Sequence, residues 1–285
     1  MLKQMYFSII IPALNEEKYL PKLLEDLVKQ TNTNFEVIVV DGNSEDATVA
    51  KCKEFENKLP SLEIVITKKR NVSHQRNLGV EKAKANWIVF MDADDRLPVY
   101  FLDGIKYRIL KEKPGCFTTY CADGYGNTAD NAIIKFINLG MEMSRQLESP
   151  LAFGSMIGVK KNLFEKYGGF DVNMAFAEDS EYVKRLFKQG VKYKIFRDPR
   201  YVYSLRHYKR DGKLKFIGNT ARLNLKNLAG LKIDQVKEYP MGGAYGEKRA
   251  ANGLSIFLKE IKIALKKPKL LKKIKKYLSS PEVDY

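Results

Sequence analysis

Trp87-Ile88-Val89-Phe90-Met91-Asp92-Ala93-Asp94-Asp95 decides the fold. Five consecutive apolar residues predict a strand buried on both faces. The strand runs directly into three carboxylates within four residues. Acidic side chains at the carboxyl end of a buried strand fall where open α/β sheets bind ligands. Asp92 and Asp94 alternate in an extended chain, so a local bend is required before both face one ion. Hard divalent cations such as Mg²⁺ or Mn²⁺ take oxygen ligands, often one or two carboxylates completed by substrate phosphates. The stretch reads either as a metal and diphosphate site or as an acidic turn capping a helix that begins near Pro98.

Working outward, strands and helices alternate four times in the first 90 or so residues. Phe7 to Ile11 reads as a strand. Asn15 is placed to cap a helix reaching about Gln30, with Glu16 and Glu17 in its first turn. Phe35 to Val40 is a second buried strand, ending in Asp41-Gly42-Asn43-Ser44, and Ser44 is placed to cap a helix to about Lys58. Leu62 to Ile66 is a third strand. Arg70 to Gly79 begins as a loop and continues as a helix to Ala85. This alternation predicts a parallel, doubly wound sheet with right-handed crossovers. Neither a G-x-G-x-x-G turn nor a Walker-type loop is present, so carboxylate-held metal is the more natural partner for a diphosphate.

Beyond Pro98 the expected elements are a helix to Glu112, a strand over Cys116 to Cys121 and an amphipathic helix over Asn131 to Leu147. A strand at Ser155 to Val159 and a short helix at Lys161 to Tyr167 follow. Next come the turn Gly168-Gly169-Phe170-Asp171 and a helix opened by Glu178-Asp179 and closed at Gly190. Two late strands are expected, Val191 to Phe196 and Tyr201 to Leu205. The chain thus divides into residues 1–97 as a nucleotide-binding half, 98–210 as an acceptor-side half of the same domain, and 211–285 as a helical extension.

The 285 residues carry a net charge of +16, and 45% are hydrophobic, ordinary for a globular chain. No apolar run reaches the roughly 18 residues of a membrane span, and the start reads as a strand and not as a signal peptide. Cys52, Cys116 and Cys121 lack metal-ligand spacing, so a reducing cytoplasm is the expected compartment. Cys116 and Cys121 read as two strand thiols or as a pair. Eight lysines and no acid lie between Ile261 and Leu278. There Leu270, Leu271, Ile274 and Leu278 form an apolar stripe opposite Lys272, Lys273, Lys275 and Lys276. That is the pattern of a helix lying on an anionic membrane surface, or else of a solvated terminal helix. The tail carries a single aromatic residue, Tyr277, and no interleaved series for base stacking, so nucleic acid is not expected as a partner.

Four segments in order resemble the family-two glycosyltransferases of GT-A fold: Phe7 to Glu16, Val39 to Thr48, Arg76-Asn77-Leu78-Gly79 followed by Trp87 to Asp95, and Gly168 to Asp171 with Glu178-Asp179. The resemblance spans about Phe7 to Leu186. It implies a Rossmann-like, mostly parallel sheet with flanking helices, and transfer of a sugar from a nucleoside diphosphate to an acceptor hydroxyl with inversion. It further implies that Pro12, Asn15 and Glu16 line the nucleotide pocket and that Asp41 contacts the base. Arg76, Asp92 and Ala93 lie against the nucleotide and diphosphate, Asp92 and Asp94 belong to the metal motif, and Asp179 is the general base. His207 matches loosely a region where some relatives place a metal-binding His or a phosphate-binding Arg. The cofactor implied is Mn²⁺ or Mg²⁺. The donor carries uridine, the commoner choice, or guanosine, and the acceptor is a lipid-linked or other glycan. The enzyme would sit on the cytoplasmic face of the membrane.

Two other classes fit parts of the pattern. A Mg²⁺-dependent nucleotidyltransferase acting on sugar phosphates shares the α/β sheet and carboxylates, but needs a Gly-rich basic loop where this chain has Pro12-Ala13-Leu14-Asn15-Glu16-Glu17. A non-catalytic nucleic-acid binder is suggested only by the charge.

Overall fold

The computed structural model describes residues 5–123, 128–146, 150, 155–174 and 177–206. Seven strands form one sheet: β1 (Phe7–Ala13), β2 (Phe35–Asp41), β3 (Leu62–Ile66), β4 (Trp87–Met91), β5 (Cys116–Cys121), β6 (Met156–Lys160) and β7 (Tyr193–Tyr201). Their order is β3-β2-β1-β4-β6-β5-β7. Parallel pairing joins β3, β2, β1 and β4, and also joins β5 to β7, while β6 runs antiparallel to both β4 and β5. The sheet is therefore mostly parallel, with one reversed strand in its middle. The chain moves from β1 outward to β2 and β3, then returns to place β4 on the other side of β1. That reversal opens a crevice between the carboxyl ends of β1 and β4.

The five-residue run of β4 is wholly buried. Trp87, Val89 and Met91 join the core on one face of the sheet, and Ile88 and Phe90 join the core on the other. Strand alternation sends successive side chains to opposite faces, so a run apolar at every position fits only a strand covered twice.

On the first face lie α1 (Leu20–Val28), α2 (Thr48–Lys53), α4 (Phe101–Glu112) and α5 (Thr128–Gln146). Leu20, Leu23, Leu24 and Leu27 of α1 are buried at the i, i+3, i+4, i+7 spacing of an amphipathic helix. The other face carries α3 (Val72–Lys82), α6 (Lys161–Tyr167) and α7 (Glu178–Lys188). Gly79 lets α3 lie against β1, because a Cβ there would stand 2.4 Å from Ile10 Cγ2.

Several expected boundaries move. Asn15 does not cap α1, which starts at Leu20. Asn15 takes a left-handed φ of 56°, and its side chain accepts a hydrogen bond from the Glu45 amide at 2.9 Å, tying the β1 loop to the β2 loop. Ser44 likewise caps no helix; it donates to Asp41 Oδ2, and α2 begins only at Thr48. The helix expected from Pro98 begins at Phe101. In place of two late strands there is one, β7, followed at Val202 by an isolated bridge to Arg96. The chain after Tyr201 leaves the sheet because it turns over the crevice.

All three cysteines are free and buried. Cys116 and Cys121 sit an odd number of residues apart on β5 and enter opposite cores, so they cannot pair. Burial pushes the Cys52 and Cys121 thiols up to about 12. The 211–285 extension, including the lysine-rich stretch, lies outside the described residues.

Candidate active site

The bend required after β4 is present. The Asp95 amide donates to the Asp92 carbonyl at 3.2 Å, and the Asp92 amide donates to Asp95 Oδ2 at 3.3 Å. Asp95 is fully buried beneath the turn and acts as its fastener. Burial raises its carboxyl well above the usual range, and the Asp92 and Asp94 charges raise it further. A second brace comes from Asp26 on α1. It accepts two hydrogen bonds from Arg96, at 2.5 and 2.7 Å, and one from the Leu97 amide at 3.0 Å.

Two arginines collect the acids. Arg76, on α3, is buried with a side chain only 3% exposed. It donates to Asp92 Oδ1 at 3.1 Å and to Glu178 Oε1 at 2.9 Å. Its guanidinium lies over the Phe170 ring, 5.2 Å from the centroid. The Asp92, Glu178 and Asp179 charges hold the guanidinium protonated against the opposing effect of burial. Arg206 reaches back from the far side of the crevice. It makes a two-pronged contact with Glu16, 2.7 Å on one prong, and its Nε lies 2.8 Å from Asp94 Oδ2. It also covers the Tyr19 ring at 4.7 Å. Glu16 titrates above its usual range because burial outweighs the Arg206 contact and the Asp94 and Asp92 charges add to it.

The structure thus brings together Glu16, Arg76, Asp92, Asp94, Glu178 and Asp179 around the crevice. Ala93, between the two aspartates, is buried and joins the core on the first face of the sheet. Pro12, near the end of β1, is buried and paired in register with Val40. Asp41 is fully buried; its oxygens accept from the Ser44 amide at 2.8 Å and the Ser44 hydroxyl at 2.5 Å, and it shapes the β2 loop from below. Asp179 stands in the first turn of α7, where Oδ1 accepts from the Ser180 amide at 2.6 Å. The helix N-terminus favours its ionised form. The cap position belongs to Ala177, in a left-handed conformation at φ 59°. His207 lies outside the described residues.

Among the described residues, no three or more His, Cys, Asp or Glu side chains close around a cation by themselves. The donor set nonetheless fits a hard divalent ion. Asp92 and Asp94 project from one turn, Glu16 stands beside them, and the Asp92 side chain is 38% exposed toward the crevice. Mg²⁺ and Mn²⁺ sites commonly combine one or two carboxylates with phosphate and water oxygens.

Three contributors escaped the sequence. Arg206 sits next to His207 in a basic stretch, and nothing local distinguishes it from surface charge. Gln75 donates to the carbonyls of Ala13 and Val40, at 2.9 and 2.7 Å, and so joins the ends of β1 and β2. Asp95 receives no role from the sequence beside Asp92 and Asp94, yet of the three it is the one that is fully buried.

A mostly parallel sheet whose acids gather where the strand order turns back has the GT-A architecture. The structure superposes on the mannosyltransferase PcManGT from Pyrobaculum calidifontis in complex with GDP-Man and Mn²⁺ with a TM-score of 0.65, at 18% identity, over 99% of this chain and 77% of that one. It also superposes on Staphylococcus aureus TarS residues 1–349 in complex with UDP-GlcNAc, with a TM-score of 0.55, at 21% identity, over 81% of this chain and 68% of that one. At these identities the likeness speaks for the fold. In sequence, the glycosyl transferase family 2 model matches residues 8–168. The chain is 26% identical to a Haemophilus influenzae glycosyltransferase over 64% of this chain and 62% of that protein. It is 29% identical to a dolichyl N-acetyl-α-D-glucosaminyl phosphate 3-β-D-2,3-diacetamido-2,3-dideoxy-β-D-glucuronosyltransferase of Methanococcus voltae, over 75% of this chain and 70% of that protein. The Bacillus subtilis minor teichoic acid biosynthesis protein GgaB is also 29% identical, and this chain spans only 23% of its length. The chain belongs to glycosyl transferase family 2. The family match speaks against the nucleotidyltransferase and nucleic-acid readings.

Proposed function

We propose that the chain moves a sugar from a nucleoside diphosphate donor to an acceptor hydroxyl with inversion at the anomeric carbon. The observation that carries this reading is the chain of contacts from Asp92 through Arg76 to Glu178, which sets the diphosphate-side acids beside the helix start that bears Asp179. Pro12, Asn15 and Glu16 form the nucleotide side of the crevice within residues 1–97, with Asp41 buried beneath them holding the β2 loop that would meet the base, and residues 98–210 supply the acceptor side. A Mn²⁺ or Mg²⁺ ion held by Asp92 and Asp94 supplies, when bound, neutralisation of the charge that grows on the departing diphosphate.

Asp179 takes the proton of the acceptor hydroxyl as that oxygen bonds to the anomeric carbon. The bond from that carbon to the β-phosphate oxygen breaks, and its electron pair leaves with the nucleoside diphosphate. A hydroxyl is a poor nucleophile until a carboxylate accepts its proton. Arg76 keeps positive charge beside the leaving group while holding Glu178 in place. Support for a nucleotide-sugar donor comes from the GDP-Man and UDP-GlcNAc bound to the two structural neighbours. Uridine is the donor base proposed first. The M. voltae relative, named for a dolichyl-linked substrate, supports a lipid-linked acceptor. The lysine-rich stretch 261–278 would hold the enzyme peripherally on the cytoplasmic leaflet, where such acceptors are presented. The test is a transfer screen over UDP- and GDP-sugars with and without Mn²⁺, with the anomeric configuration of the product read by NMR. Retention of configuration, or full turnover in EDTA, overturns the mechanism.

A further inference from the structure

The outward face of α4 plays no part in the site or in the core. The buried residues of α4 are Phe101, Leu102, Ile105 and Ile109, which fix one side of the helix against the sheet. The opposite side carries large apolar groups where a polar surface is expected. Tyr107 is 58% exposed and Leu110 61%, and Val99 and Tyr100, just before the helix, are about half exposed. At 1.5 Å per residue the stripe from Tyr100 to Leu110 runs about 15 Å. Tyr107 and Leu110 are one turn apart and point the same way.

Lysines rim this stripe. Lys111 and Lys113 are exposed, and Lys106 is half-buried. Lys111 lies over the Tyr107 ring at 5.6 Å, and Lys106 lies over the Tyr6 ring at 5.0 Å. The acids of the helix are engaged inward or sideways. Asp103 accepts from Thr31 at 2.6 Å and Asn32 at 2.8 Å, and Glu112 is shared by Arg108 and Lys194. The face therefore offers tyrosine, leucine and lysine on a convex helix side, with Lys106, Lys111 and Lys113 against Asp103 and the already paired Glu112.

We propose that this face of α4 docks on a lipid bilayer carrying anionic headgroups. Amphipathic tyrosine rings settle at headgroup depth, and Leu110 reaches the acyl boundary. Lysine stems lie along the apolar stripe while their ammonium groups meet phosphate. A folded protein partner would be expected to meet a concave or flat patch large enough for a stable interface, whereas this stripe is narrow and convex. The stripe begins at Val99, whose carbonyl accepts from the Thr31 amide just past the C-terminal end of α1, and Lys106 within it reaches Tyr6 just before β1. This contact is independent of the lysine-rich tail proposed above.

The test uses the full chain labelled with an environment-sensitive dye at Leu110→Cys after Cys52, Cys116 and Cys121, all buried, are shown not to react. Vesicles are neutral phosphatidylcholine, or the same lipid with phosphatidylglycerol. The expected result is a blue shift with the anionic vesicles only, reversed by salt. In unlabelled protein, the Tyr107→Asp/Leu110→Asp pair should weaken anionic-vesicle binding by about tenfold, the order expected from one leucine-sized burial. Its thermal midpoint and its donor hydrolysis in solution should be unchanged. Vesicle binding with no shift at position 110 overturns the α4 contact and leaves the tail contact standing. A shift that survives replacement of Lys272, Lys273, Lys275 and Lys276 by Ser removes the tail contact and leaves this one. A shift that grows with protein concentration without vesicles assigns the face to a second copy of the chain and overturns the membrane reading, as does equal binding by the paired variant.

Discussion

Asn77 holds Phe170 by two reciprocal hydrogen bonds, its Nδ2 donating to the Phe170 carbonyl at 2.8 Å and its Oδ1 accepting from the Phe170 amide at 2.9 Å. The clamp requires glycine at the preceding position, because a Cβ on Gly169 would stand 2.4 Å from Asn77 Oδ1. Arg185 fastens the same turn from α7, donating to the carbonyls of Tyr167, Gly168 and Gly169. Two motifs far apart in the chain are thus one structural unit. It carries Arg76 on one side and leads to Glu178 and Asp179 on the other.

Removing Arg76 should therefore affect both fold and activity. Arg76→Ala leaves Glu178, 13% exposed, without its partner. Breaking a buried pair from one side costs about 3 kcal/mol or more. The expected result is a lower denaturant midpoint with turnover lost. Arg76→Lys keeps the charge but presents a single point where Arg spans two acids, so it should recover stability better than turnover. Wild-type stability for Arg76→Ala would contradict the bridging role.

Asp92→Ala and Asp94→Ala should each abolish transfer while the far-UV circular dichroism spectrum stays native. The two substitutions should also weaken Mn²⁺ binding, measured by calorimetry with nucleoside diphosphate present. EDTA should silence the wild type and added Mn²⁺ should restore it. Activity in both variants would remove these residues from the metal site.

Asp179→Asn changes little in shape and removes the proton acceptor. Turnover should fall by at least about 10²-fold with donor affinity retained. A fall in donor affinity at constant turnover would move Asp179 to the donor side of the crevice.

Asp95 gives a pH signature. In the folded chain burial holds its carboxyl well above the ordinary 3.8. Between the unfolded and folded values the native state binds more protons than the unfolded state. The contribution of Asp95 to stability is therefore full below the unfolded value and is lost as pH rises through the folded one. Asp95→Asn lacks this titration and keeps an oxygen for the Asp92 amide. Without metal, the stability of the variant relative to wild type should increase from about pH 4 to about pH 7. Parallel pH profiles for the two proteins, measured by denaturant unfolding, would mean that Asp95 is not held protonated by burial.

Much of the donor side is legible in the sequence because it is local. A short unbroken apolar run that ends in a turn fits a strand covered on both faces, and alternation of such strands with amphipathic helices points to a parallel sheet. The acids that follow β1, β2 and β4 must then line one edge. Periodicity also located β3, β5 and α6 closely. The reversal of β6 and the order β3-β2-β1-β4-β6-β5-β7 were beyond such reasoning, since a strand's direction depends on where the chain has already been. The caps proposed at Asn15 and Ser44 failed for a related reason. A short polar side chain bonds whatever amide or hydroxyl stands nearest, and here tertiary structure brought the β1 and β2 loops together. The same holds for the two arginines of the crevice. Arg206 resembles any other of the chain's many cations until folding sets it between Glu16 and Asp94, and Arg76 stands out only by the family resemblance until folding buries it between Asp92 and Glu178; charge type is written in the sequence, but the pairing that gives it meaning exists only in three dimensions.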